Sequence, residues 1–147
     1  MLFENVSHGW CVFNIMGQKV KSISYCCNPL EEIYYALENK VKHNFPFQVE
    51  FDCEDRGKQG LIEFDSFTYI FSQHYCGSFT HITHVDDVID YICKNIMKEF
   101  EGERLIEWQN WIISDSPEEE LKELKDKFKN LIEEIHKRNV INERNKI

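Results

Sequence analysis

The chain has 147 residues, of which 42% are apolar and 14% aromatic, so it holds enough apolar material for one folded core. Its 26 Asp and Glu against 17 Lys and Arg give a formal net charge of −9 at pH 7. Because such a surface repels phosphate backbones and anionic lipid, nucleic acids and membranes are poor candidate partners, and a basic protein is a better one. We expect a single domain over residues 1–147.

The N-terminal stretch MLFENVSHGW has no basic residue ahead of an apolar run, which excludes a typical secretory signal. Six cysteines occur without any CxxC pair, so we expect free and mostly buried thiols rather than a disulfide framework. Together these features predict a soluble cytoplasmic protein.

The first elements in chain order are a hairpin and a helix. An apolar run from Trp10 to Ile15, a turn with glycine and a second run to Tyr25 predict two antiparallel strands. The stretch NPLEE then favours a helix over Pro29–His43, with Asn28 as its N-cap. The adjacent Cys26 and Cys27 are interpreted as the end of the second strand, with one thiol packed under the helix.

The middle of the chain predicts a strand meander. Alternating apolar residues between Phe47 and Cys53 are typical of a half-buried strand, and two further strands are expected at 61–64 and 67–75. A two-residue turn at 77–78 would extend the meander, placing Cys76 opposite Phe79 and His74 opposite His81.

The C-terminal part is predicted to be helical. Thr83 heads a capping-box pattern before a helix over Asp86–Phe100, which Gly102 is expected to end. A short amphipathic segment follows, and then a helix over Pro117–Arg138, with residues 140–147 expected to fray. The apolar stripe of that last helix either packs on the protein itself or forms the seam of a homodimer; its members are Leu121, Leu124, Phe128, Leu131 and Ile135. The fold class expected is α+β, with one mainly antiparallel sheet of five to six strands and helices on one face.

The first candidate functional feature is a group of histidine and cysteine residues. His74, Cys76, His81 and His84 carry ligand types that zinc prefers, but their spacing matches no zinc module, and in a hairpin His84 would point to the opposite face from His81. The first three of these residues define the alternative of a metal- or thiol-dependent enzyme, whereas no nucleotide-binding or hydrolase motif occurs. We therefore expect no cofactor and no enzymatic activity, and keep the enzyme as the alternative.

Runs of carboxylates are the other candidate feature. Most acidic runs are simply solvated faces, yet some could form a binding surface anchored by tryptophan, a residue enriched at interface centres. The tryptophans are equally well explained as core residues. The candidate partner-binding residues are Asp52, Glu54, Asp55, Trp108, Trp111, Asp115, Glu118 and Glu119.

The segments SYCCNPLEEIYYALENK, VEFDCEDRGKQGLIEF, FTYIFSQ and LIEWQNWI together resemble the immunity proteins of bacterial contact-dependent inhibition and related polymorphic toxin systems. This resemblance implies an α+β protein that binds one cognate toxin, often a basic nuclease, and blocks its active site. Small size and strong acidity agree with that role, because complementary charge speeds the capture of a basic partner.

Overall fold

A computed structural model describes residues 1–7, 9–73 and 77–145, and these ranges contain seven strands and four α-helices. The first sheet contains β1 (Phe3–Ser7), β2 (Trp10–Ile15) and β3 (Gln18–Ser24), and the second contains β4 (Gln48–Asp52), β5 (Lys58–Phe64), β6 (Phe67–Ser72) and β7 (Ser78–His84). The helices are α1 (Pro29–His43), α2 (Val85–Asn95), α3 (Gly102–Trp111) and α4 (Pro117–Asn145), with 3-10 segments at Glu54–Arg56 and Ile96–Phe100.

The α+β class and the antiparallel pairing are confirmed, but the expectation of one sheet is wrong. The strands are divided between a three-stranded and a four-stranded sheet because α1 connects β3 to β4, and these two strands share no ladder in the described part of the chain. The first strand was not predicted, since Glu4 and Asn5 interrupt its apolar pattern.

The first hairpin and the start of α1 follow the sequence prediction. Ile15 pairs with Gln18, so Met16 and Gly17 form a two-residue turn in which both have positive φ, 52° and 87°. The Asn28 side chain accepts hydrogen bonds from the first N–H groups of α1, at 3.2 and 3.4 Å.

The adjacent cysteines lie beyond the strand rather than at its end. β3 stops at Ser24, Cys26 is exposed in the following turn, and Cys27 is partly buried against the core. One thiol therefore packs inward as expected, but turn geometry rather than strand alternation separates the two side chains.

The β6–β7 hairpin has a different register from the one predicted. Ser72 pairs with Ser78, so the predicted two-residue turn at 77–78 is wrong. His81 consequently lies opposite Tyr69, and Phe79 lies opposite Phe71. His74 and Cys76, the residues predicted to face these positions, are outside the described residues.

The helix boundaries in the C-terminal half also differ from the prediction. His84 rather than Thr83 caps α2, because its Nδ1 accepts the Asp86 N–H at 3.2 Å. The predicted helix over Asp86–Phe100 is divided into α2 and a 3-10 segment. Gly102, with φ of 56°, begins α3 instead of ending the preceding helix.

The apolar stripe of α4 is buried by the chain itself. Its five residues are at most 9% exposed, and the Phe128 ring lies 5.3 Å from that of Tyr34 and 5.8 Å from that of Phe100. Of the two alternatives for this stripe, packing within the chain is the one found, so these five residues offer no free apolar seam to a second copy. Every helix in the described residues is too short or too polar to cross a lipid bilayer.

Candidate functional site

The turn after β4 holds two of the predicted acidic residues in a fixed arrangement. Asp52 ends the strand, and its Oδ1 accepts the Glu54 backbone N–H at 2.9 Å. The buried Ser24 hydroxyl of β3 donates to Glu54 Oε1 at 2.7 Å, which holds that side chain beside the first sheet. Glu54 adopts a φ of 52°, a conformation that these hydrogen bonds stabilise. The side chain of Asp55 is outside the described part of the chain.

The first turn of α1 adds two more carboxylates to this region. Glu31 is exposed and Glu32 is partly buried, and Glu50 on β4 lies close enough to affect Glu32. The pKa of Glu32 is raised mainly by burial and then by the charges of Glu31 and Glu50, with Lys58 acting in the opposite direction. The carboxylates here therefore outnumber their nearby cationic partners.

The acidic region continues to the start of α4. Glu31 of α1 and Glu120 and Glu123 of α4 line one groove of about 180 Å³. The ammonium of Lys127, also in this groove, lies 5.8 Å from the centre of the Tyr34 ring. We define the acidic surface by its seven carboxylates, which are Glu31, Glu32, Glu50, Asp52, Glu54, Glu120 and Glu123.

The predicted acidic residues before and at the start of α4 lie beside this surface rather than on it. Asp115, Glu118 and Glu119 are exposed in and before the first turn of α4, next to Glu120 in sequence but not among the residues that line the groove. Sequence reasoning passed over Glu31 and Glu32 because acids in a first helical turn are explained by the helix dipole. The i,i+3 spacing of Glu120 and Glu123 was the available signal that they share a helix face.

Both tryptophans of the predicted site belong to the core. Trp108 is fully buried and its Nε1 donates to Glu99 Oε1 at 3.2 Å, while Trp111 is 5% exposed and its Nε1 donates to the Trp10 carbonyl at 3.3 Å. Because each indole N–H is already paired inside the protein, neither ring is available to anchor a partner. Core packing is thus the alternative that the structure shows for both.

The histidine and cysteine cluster cannot be assembled from the described residues. His74 and Cys76 lie outside them, and His81 packs its ring 5.4 Å from Tyr69 and 5.5 Å from Phe67. His84 lies 5.7 Å from the same Phe67 ring, because a β-bulge in the β6–β7 ladder brings both histidines to one side of the sheet. Within the described ranges, no group of three His, Cys, Asp or Glu side chains is placed to hold a metal ion.

The described buried thiols are poorly suited to nucleophilic chemistry. Burial raises the pKa values of Cys27, Cys53 and Cys93 to about 11, and it raises the pKa of Cys11 further. Since the thiolate is the reactive form, these four side chains are unreactive at neutral pH. Cys26 is the exposed thiol among the described cysteines, and its Sγ lies 3.9 Å from Glu54 Oε1.

Comparison with known proteins adds no assignment to this geometry. No protein-family model, curated protein or solved structure matches the chain.

Proposed function

We propose that this chain is a non-enzymatic binding protein that captures and neutralises a basic protein domain, in the manner of the immunity proteins that it resembles. The partner fitting this role is a toxin with a cationic active site, such as a nuclease domain. The resemblance supplies the biological role, whereas the charge distribution supplies the physical basis for recognition.

The observation that carries the proposal is the concentration of carboxylates on the acidic surface. Glu31 and Glu50 act on Glu32 from two different elements, and Glu31 shares a groove with Glu120 and Glu123 of α4. Like charges held this close destabilise the isolated protein, and a cationic partner relieves their repulsion. The negative electrostatic field of these carboxylates also speeds association with a basic partner.

Affinity capture from the native host, followed by mass spectrometry, tests the proposal. The wild-type chain should retain a basic protein, and its binding should weaken at high salt because screening reduces the attraction. Co-expression of the chain should also suppress the toxicity of that partner in cells.

Matched charge reversals show whether the acidic surface is responsible. The triple variant Glu31→Lys, Glu120→Lys and Glu123→Lys should weaken binding of the purified partner by about 100-fold. A control variant with the same net charge, Glu101→Lys, Glu103→Lys and Glu133→Lys, changes acids elsewhere and should have a much smaller effect. Equal losses in the two variants would refute the site, and capture of no basic protein would refute the function.

A further inference from the structure

The four-stranded sheet has a second face that the core does not cover. Its inner face includes the buried Val49, Leu61 and Thr68. Residues directly opposite each other in an antiparallel ladder project to the same side. The outer face therefore carries Ile62 beside Tyr69 and His81, Phe64 beside Phe67, and Phe71 beside Phe79. We call these seven residues the aromatic face.

The aromatic face is unusually exposed for its composition. Phe64, Phe67 and Phe79 are 66%, 43% and 69% exposed, and Ile62, Phe64, Tyr69 and Phe79 line a shallow groove of about 330 Å³. With roughly 200 Å² of surface per aromatic side chain, the three Phe side chains alone expose about 350 Å². The partly exposed members bring the patch to roughly 500 Å², near the upper end for monomeric proteins.

Charge makes this face different from the rest of the surface. None of its seven side chains is an acid, a lysine or an arginine, although the chain as a whole has a net charge of −9. The centre of the outer face is therefore uncharged and two copies do not repel each other there, whereas its β4 border carries Glu50, Asp52 and Lys58. Of the acidic surface, Glu31, Glu120 and Glu123 lie on the helices and outside this face, and Glu50 and Asp52 lie at its border.

We propose that the aromatic face is the interface of a homodimer, in which the four-stranded sheets of two copies stack face to face. Stacked sheets interdigitate their side chains across about 10 Å, which would cover the exposed phenylalanines. An interface of standard size buries about 800 Å² on each partner, so the aromatic face with its polar border supplies the required area.

The borders of the face select how the two copies are oriented. Glu50 and Asp52 lie on the β4 side, and His81 and His84 lie on the β7 side. Gln48 is at the same level along the strands as His81, through Ile62 and Tyr69. A two-fold axis parallel to the strands places β4 of one copy over β7 of the other, so the Gln48 amide oxygen of one copy meets the His81 imidazole N–H of the other. An axis across the strands would instead place carboxylates over carboxylates.

Association through the edge of the sheet is less favourable than stacking. β7 pairs only with β6 among the described strands, but the bulge between Phe67 and Tyr69 places an extra residue in β7. Such bulges twist an edge strand away from further pairing. The face, rather than the edge, is thus the surface on which a second copy fits.

Sedimentation velocity of the full chain, over about 1 to about 300 µM, tests this proposal. The wild type should shift from monomer to dimer within that range. Phe79→Asp and Phe64→Asp should each raise the dimer dissociation constant by about 100-fold or more, because each places a charge in the centre of the interface. Both positions are exposed, so the monomer should keep its fold, which far-UV circular dichroism verifies.

Ile113→Asp is the control, since Ile113 is 74% exposed and lies between α3 and α4, outside the four-stranded sheet. It should leave the dissociation constant unchanged within about twofold. A wild type that stays monomeric throughout, a dimer insensitive to both face variants, or an equal effect of Ile113→Asp would each overturn the proposal. Because the test needs no toxin partner, its outcome is independent of the proposed function.

Discussion

Replacement of Gly60 by alanine tests how closely β4 and β5 approach at the border of the acidic surface. Gly60 lies opposite Glu50 in the ladder, and a Cβ atom there would meet the Val49 carbonyl oxygen at 1.9 Å and its carbon at 2.8 Å. An ordinary contact of this kind exceeds 3.4 Å, so the two strands would have to separate by more than 1 Å. No side-chain rotation relieves the clash, because the opposing atoms belong to the backbone.

The expected cost of Gly60→Ala is about 3 kcal/mol or more of the free energy of unfolding, the upper end for overpacked sites. For a chain of this size, such a loss corresponds to a fall in Tm of roughly 10 °C. Urea unfolding followed by tryptophan fluorescence measures it, with the m-value showing whether the unfolding remains two-state.

Gly17→Ala is the matched control for this prediction. Gly17 has a φ of 87°, but no atom lies within 4 Å of the place that a Cβ would take, so the change adds backbone strain without a clash. Its expected cost is about 1 kcal/mol. If Gly60→Ala proved as mild as Gly17→Ala, the close approach of β4 and β5 would be refuted.

Three further predictions follow from local contacts. Asn28→Ala should lower the free energy of unfolding by about 1 kcal/mol, since two N–H groups of α1 lose their acceptor, and a loss below about 0.3 kcal/mol in urea titrations would contradict the cap. Burial raises the pKa of Glu99 above its usual 4.5, so its ionised form opposes folding at neutral pH and this opposition fades as the pH falls from the folded-state pKa toward 4.5. The wild type should therefore gain stability relative to Glu99→Gln through that window, and a pH-independent difference would contradict the raised pKa. Among the described cysteines, Cys26 should be alkylated first under native conditions, with peptide mass spectrometry as the measurement and equal labelling of buried Cys53 as the contrary result.

Local signals in the sequence were sufficient to predict those helices and turns whose geometry depends on residues close together in the chain. Asn28 and Pro29 specify the start of α1, and Met16 and Gly17 provide the positive φ values of a tight hairpin. The long C-terminal helix was equally clear, because its apolar residues recur with alternating steps of three and four. In each case the deciding contacts span only a few positions along the chain.

The candidate site was less predictable because it combines distant segments. Asp52 and Glu54 could be recognised from the sequence as acids that follow a strand, but Glu31 and Glu123 come to line one groove only through the packing of α1 against α4. The burial of Trp108 likewise depends on Phe3, whose ring lies 5.0 Å away and more than one hundred positions earlier. No periodicity within a single element contains that information.

The sequence by itself therefore determined the fold class, the antiparallel pairing and most element starts, since these depend on propensity, capping and periodicity. Only the tertiary structure decided that the strands divide into two sheets and that Tyr34 and Phe100 pack against the apolar stripe of α4. It also decided which apolar residues remain exposed. The physical reason is that burial is a property of what lies opposite a side chain. Phe51 and Phe64 are both phenylalanines in strands of the four-stranded sheet, yet Phe51 is fully buried and Phe64 is 66% exposed.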